Sequence, residues 1–400
     1  MPAIPAYPHD IWTDDVLLDP HPHYRALREL GPVVWLEAHQ MYAVPRYAEA
    51  RAVLRAGDTF CSGQGVGLND VINGIGAGTT LMSDGKLHDH LRSVIGPGLT
   101  PRALRSIRTS VRQLATELVG RLVAQGSFDA VADLARVLPL TVVPDLVGWP
   151  AGGREHLLAW AGATFDLLGP LNSRAEHAIP QAQEMMEFAA RTAAEGNIQS
   201  GGLGDAILDA ARRGELPPSQ VPPLIIDYLA PSLDTTISAI GSALWLLATN
   251  PDQWAALKTD PTLIPNAFNE TVRLESPIRA FSRVATTDTE LDGYGVPAEA
   301  RLIVLYASAN RDEQVFDRPD DFDVSRNNAA AHLGFGYGAH GCAGQGLARL
   351  EGHAVLQALV DQVEAIEPGR PVRALNNVIS AWDSLPVTVH PTRQTVVANA

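Results

Sequence analysis

The chain has 400 residues, 46% hydrophobic and 19% charged, which is the make-up of a folded globular protein and excludes disordered and fibrous classes. A net charge of -15, with a pI near 5.2, argues against a nucleic-acid binder, because phosphate neutralisation needs a basic face. No apolar run approaches the ~20 residues of a membrane span, and the start MPAIPAYPHD lacks the basic flank of a signal peptide, so a cytoplasmic enzyme without membrane contact is the expectation.

In chain order, PHYRALREL closed by Gly31 predicts an amphipathic helix, and PVVWLE with MYAVP predicts a two-strand hairpin. YAEARAVLRA is helical again. Residues 61–80 carry six glycines and neither Lys nor Arg, which predicts a long loop that covers something. Residues 87–250 show an almost wholly helical period, broken by turn signals such as GLTPRA and GWPAGGRE. One more helix is predicted over 264–275. VATTDTELDGYGVPAEARLIVLYASANRD alternates like strands around a Gly-rich turn, and FDRPDDFDVSRNNAAA reads as irregular. A long helix is expected from near Cys342, followed by two short strands. The two cysteines lie far apart in a chain without a secretory signal, so no disulfide is expected and Cys61 reads as a small buried hydrophobe.

The stretch around Cys342 allows several chemistries. GYGAHG is a literal G-x-G-x-x-G, but a dinucleotide fingerprint needs a strand before it, and SRNNAAAHLGF is no central strand. His340 and Cys342 are two residues apart, a spacing that does not aim a base at a nucleophile. Zinc needs four ligands, which one cysteine and neighbouring histidines do not supply. A single thiolate can hold haem iron, which needs only one protein ligand. Backbone N–H groups of a glycine loop and the start of a following helix keep such a sulfur deprotonated. Gly336, Gly338 and Gly344 would let backbone approach a flat ring, and Phe335 would shield the sulfur from water.

FGYGAHGCAGQGLA resembles the F-G-x-G-x-H-x-C-x-G-x-x-L-A ligand loop of the cytochrome P450 monooxygenases, and every fixed position is met. The resemblance extends over essentially the whole chain. It implies a mainly α cytochrome P450 fold with small β-sheets, a single triangular domain over residues 1–400 with no fused reductase. It implies haem b on Cys342, O2 as oxidant, and electrons from NAD(P)H through a separate ferredoxin and ferredoxin reductase. The family's E-x-x-R pair matches Glu270 and Arg273, tied to Arg326 in the irregular segment. His88 and Arg92, at i and i+4 on one helix, match the family's propionate partners, as do Arg283 and His340. PSLDTT matches its acid–alcohol pair, with Asp234 feeding protons and Thr235 holding the oxygen ligand or water. Pro231 and Ser232 replace the usual small pair, and Pro231 is expected to kink the helix. Arg102, Arg105, Arg108 and Arg112 at helical spacing read as a solvated face or as a dock for an acidic ferredoxin.

FCSGQGVGL, GREHLLAWAG, SLDTT, LYASANRD and ARLEG resemble the bacterial branch that oxidises small para-substituted aromatics, including O-demethylation of methoxybenzoates. Val66, Phe165, Leu168, Ile278 and Phe281 are candidate walls of a small apolar pocket. The chain departs from the branch at its carboxylate anchors: residues 63–81 hold no cation, and Asp227 stands where the helix serine would be. Asp227 lies seven residues before Asp234, hence on the same helix face. A carboxylate there repels a benzoate and accepts a hydrogen bond from a phenol. The expected reaction is O-demethylation of a neutral methoxyphenol or alkyl methoxyarene to a phenol and formaldehyde. The alternative is O-demethylation or hydroxylation of a para-substituted benzoate paired with Arg279. The class-level rivals are a haem-thiolate peroxygenase or haem-binding sensor, against which Asp234 and Thr235 favour O2 activation.

Overall fold

The computed structural model describes residues 2–392. Its organising element is the 29-residue central helix Val221–Thr249, in which nearly every residue from Thr236 to Ala248 is buried. A helix apolar on all sides has to be wrapped by others. Here Val137–Val147, Leu157–Leu168, Ser173–Ala194, Ile264–Glu275 and Gln345–Gln362 pack against it. Pro222 and Pro223 sit in its first turn, where a missing N–H costs nothing. Helical backbone continues through Pro231.

The predicted hairpin forms, with Val34↔Ala43 and Leu36↔Met41 in register, and it belongs to a six-stranded sheet. The strand order is Ala6–Tyr7, Val34–Leu36, Met41–Val44, Arg301–Val304, Phe281–Ala285 and Phe60–Cys61. Phe281–Ala285 runs antiparallel to Arg301–Val304, and its alternation puts Phe281 and Arg283 on one face. A three-stranded sheet joins Val363–Pro368, Pro386–Pro391 and Ser127–Asp129. The fold is the mainly α one with small sheets that the sequence predicts. Among the described residues no helix is long and apolar enough to cross a membrane.

Several local expectations change. The glycine-rich stretch contains the helical turn Asp70–Ile75, capped by the Asn69 side chain accepting the Ile72 N–H at 3.1 Å. The helical run 87–250 is interrupted by the strand Ser127–Asp129 and a π-helical turn at Ala130–Ala135. Four strands follow the last long helix rather than two, the first immediately, burying Val363 and Ile366 with a register shift between Val363 and Ala365. The arginine stripe is split between a 3-10 turn, Ala103–Ser106, and the helix Arg108–Gln125, though all four side chains are exposed.

Glu270 and Arg273 are fully buried on Ile264–Glu275. Arg273 grips the carboxylate with Nε at 2.7 Å and Nη2 at 2.8 Å, and Arg326 Nε donates to the same group at 2.8 Å. Carbonyls of Asn310, Pro319, Asp317 and Asp321 accept the remaining N–H groups, which fixes the irregular segment that precedes the cysteine loop.

Candidate active site

A cavity of about 270 Å³ lies between the central helix, the helix Gly85–Ile95, the strand Phe281–Ala285 and the cysteine loop. Phe165, Leu168, Ile278 and Phe281 contribute apolar wall, and Cys342 closes one end.

The loop is shaped by its glycines. Gly336 and Gly338 adopt φ of +68° and +72°, where L side chains are strained, and a Cβ on Gly338 would lie 2.4 Å from the Leu54 carbonyl oxygen. Cys342 N–H donates to the Phe335 carbonyl at 2.8 Å, turning the sulfur toward the cavity at the start of Gln345–Gln362. Burial pushes the Cys342 thiol up, while the N–H groups of Gly344 and Gln345 and the charges of Arg92 and Arg349 pull it back. Phe335 borders the cavity with the Arg349 guanidinium 4.4 Å over its ring. Among the described residues no cluster of three or more His, Cys, Asp or Glu is gathered for a metal.

His88, Arg92, Arg283 and His340 converge on the same end of the cavity. The His88 and His340 rings lie 4.2 Å apart, and Arg92 Nη2 donates to the Gly341 carbonyl at 2.7 Å. Burial, then the nearby Arg283 and His88, lower His340 to about 4. His88 Nε2 is buried without a partner, although buried polar atoms are normally paired. An orphaned imidazole nitrogen beside two guanidinium groups, next to a lone thiol in a glycine cradle, fits a flat ring carrying two carboxylates, such as a haem that Cys342 would hold.

Two acids on the central helix behave differently. Asp227 lies in the cavity wall, its surface open to the cavity and not to bulk water. Burial pushes it up to about 6 and contacts with Thr80 pull it back, the Thr80 N–H donating to Oδ2 at 3.2 Å. Asp234 is pushed up to about 7 by burial, with Asp166 adding and Arg136 opposing. Thr235 borders the cavity and its hydroxyl donates to the Pro231 carbonyl at 2.7 Å.

The family model for cytochrome P450 matches residues 167–378. Cytochrome p450 CYP199A2 of Rhodopseudomonas palustris is 39% identical over 394 residues, which cover 97% of this chain and 95% of that protein. The chain is a cytochrome P450. Two solved structures share its fold, each with a TM-score of 0.86 and covering 96% of this chain and 99% of their own: CYP268A2 of Mycobacterium marinum in complex with pseudoionone, 30% identical, and cytochrome P450 CREJ in complex with (4-ethylphenyl) dihydrogen phosphate, 26% identical. As a cytochrome P450 it is a haem-thiolate monooxygenase that uses O2.

Within this P450 the cavity brings together most of the candidates and leaves out three. Val66 packs into the sheet-side core, its carbonyl accepting the Ser282 N–H at 2.9 Å, and borders a separate small void. Asp234 shares the helix with Asp227, yet its carboxyl turns toward Leu157–Leu168, where Gly162 leaves room: a Cβ there would lie 3.6 Å from Oδ2. Arg279 points away from the cavity and cannot pair an acid in it, since Nη1 and Nη2 donate to the carbonyls of Asn376 and Leu17 at 2.7 and 2.9 Å.

Sequence reasoning missed Thr80, Tyr306 and Asp84. Thr80 and Tyr306 line the cavity. Asp84 accepts the Ser62 and Gly63 N–H groups at 2.9 and 2.6 Å and faces His340 Nε2 at 3.6 Å, coupling the glycine-rich loop to the haem end. Its signal was available: Asp84 precedes the helix that carries His88, at the usual capping position.

Proposed function

We propose that this cytochrome P450 O-demethylates a small neutral aromatic ether, a methoxyphenol or alkyl methoxyarene, to a phenol and formaldehyde. The observation that carries the reading is the distribution of charge: His88, Arg92, Arg283 and His340 all gather at the ligand loop, while Asp227 offers an acceptor in the wall. With Arg279 committed elsewhere, a benzoate would enter beside a carboxylate and find no free cation, whereas a phenol O–H finds a partner.

The balanced reaction takes one ArOCH3, one O2, two electrons and two protons to ArOH, formaldehyde and water. Cys342 would hold haem b, His88, Arg92, Arg283 and His340 would face its acidic edge, and the bound group would supply the activation of O2. Thr235 holds a hydroxyl at the cavity surface that can relay a proton. Asp234, its carboxyl turned toward Leu157–Leu168 and pushed up to about 7, can take a proton there and pass it on after a side-chain rotation. Electrons from NAD(P)H arrive through a separate ferredoxin reductase and ferredoxin. The exposed Arg102, Arg105, Arg108 and Arg112 suit an acidic docking partner, and Leu104 beside them packs on Gly346, at 3.2 Å from where its Cβ would be.

The test is a comparison of ligand-induced haem spectral shifts and formaldehyde release for a 4-alkyl-2-methoxyphenol and for 4-methoxybenzoate. The phenol is expected to bind more tightly and turn over faster. Tighter binding and faster demethylation of the acid would overturn the neutral-substrate reading.

A further inference from the structure

Arg349, half-buried on the helix Gln345–Gln362, is held beside the ligand loop by neutral groups alone. Its guanidinium lies 4.4 Å over the Phe335 ring, Nη1 donates to Gln345 Oε1 at 2.7 Å, and Nε and Nη2 both donate to Asn269 Oδ1 at 3.3 Å. The acids nearest in sequence do not balance it. Glu270 is taken by Arg273 and Arg326, and both carboxyl oxygens of Glu351 are buried without a partner. Amide oxygens satisfy N–H groups and leave the positive charge uncompensated.

Both of its near contacts lead to the sulfur. The Phe335 carbonyl accepts the Cys342 N–H at 2.8 Å. Gln345 opens the helix that follows Cys342, where a Cβ on Gly344 would lie 4.0 Å from Sγ. Arg349 is thus one residue removed from the thiol on two sides, through a stacked ring and through a hydrogen-bonded amide. It does not line the substrate cavity.

We propose that Arg349 is a positioning residue for electron uptake: its unpaired charge, fixed over Phe335 and against Gln345, raises the reduction potential of the haem that Cys342 would hold. A thiolate ligand pushes electron density onto iron, which opposes the arrival of another electron. One-electron reduction of ferric to ferrous haem adds a negative charge, and a cation close by in a partly dry setting favours that state. The planar guanidinium suits the place, because it can stack on the ring and reach both amides at once. Since Arg349 stands outside the cavity, the effect falls on the electron step and not on ligand binding.

The test is the midpoint potential of the substrate-free holoenzyme, followed through its haem spectrum in an electrochemical cell with redox mediators. Arg349→Gln should make one-electron reduction about tenfold less favourable, which is about 59 mV to more negative potential. Arg349→Lys keeps the charge and should stay within about threefold of the wild type. Should the Gln variant fail to hold haem, Asn269→Asp, which gives Arg349 a carboxylate, should shift reduction about threefold in the same direction. An unchanged potential in Arg349→Gln, or in Asn269→Asp where that variant takes its place, overturns the proposal. So does a Lys variant displaced as far as the Gln variant, since the charge would then not be the cause.

Discussion

Asp227→Asn removes the one acidic group in the cavity wall while keeping its shape. In the wild type the carboxylate already accepts the Thr80 N–H, so a phenol O–H adds a second, charge-assisted bond. Such a bond contributes about 1.5–3 kcal/mol, less about 1 kcal/mol for the neutral bond an amide oxygen still accepts. The net loss, about 0.5–2 kcal/mol, corresponds to a Kd raised about 2- to 30-fold. The assay is a spectral titration of a 4-alkyl-2-methoxyphenol and of its O-methylated analogue, which has no hydroxyl to donate. Only the phenol should lose affinity, and 4-methoxybenzoate should bind the variant more tightly than it binds the wild type. The carboxyl titrates near 6, so the phenol's advantage should be present at pH 8 and fade as pH falls through that value. An equal loss for phenol and ether, or no loss for either, would refute the assignment.

Asp234→Asn should slow turnover about 100-fold or more and raise the solvent deuterium effect, as expected for a lost proton carrier. Because the Asp234 carboxyl titrates near 7 and its ordinary value is 3.8, the folded state binds more protons than the unfolded one between them. Stability should therefore fall as pH rises from about 4 to about 7, and the Asn variant should show a flatter melting profile over that window. Glu270→Ala leaves Arg273 and Arg326 buried without their acid and should cost about 3–5 kcal/mol, read as a lower urea midpoint at unchanged slope. Cys342→Ala should abolish the thiolate-shifted Soret band of the reduced carbon monoxide complex, while retention of that band would remove Cys342 as the ligand.

The ligand loop was legible because its chemistry resides in residue identity and spacing: one cysteine, glycines with positive φ, and a following helix start. The Glu270–Arg273 pair was legible for the same reason, as i and i+3 on one helix. Orientations were not. Counting back in twos from Arg283 puts Phe281 and then Arg279 on the cavity side, but the strand begins only at Phe281. Arg279 N–H is held by Val378 O, the register breaks, and Ile278 takes the cavity position. Val66 was misplaced because its pairing with Ser282 comes from a strand more than two hundred residues away. For Asp234 the deciding residue was Gly162, whose missing side chain on another helix gives the carboxyl somewhere else to go.

The departures from the family pattern on the central helix act together. Pro231 brings no N–H, so the Asp227 carbonyl, four residues earlier, lacks its helical donor. The Pro231 carbonyl in turn accepts the Thr235 hydroxyl at 2.7 Å. Positions 227, 231 and 235 recur at i+4 and all line the cavity, so one helix face carries a carboxylate, a backbone carbonyl freed of its partner and a hydroxyl that is already donating. Such a face is rich in acceptors and poor in free donors. A ligand that brings an O–H would satisfy it and one that brings a carboxylate would add another acceptor, so on the proposed function the residues at 227 and 231 work together against an acid.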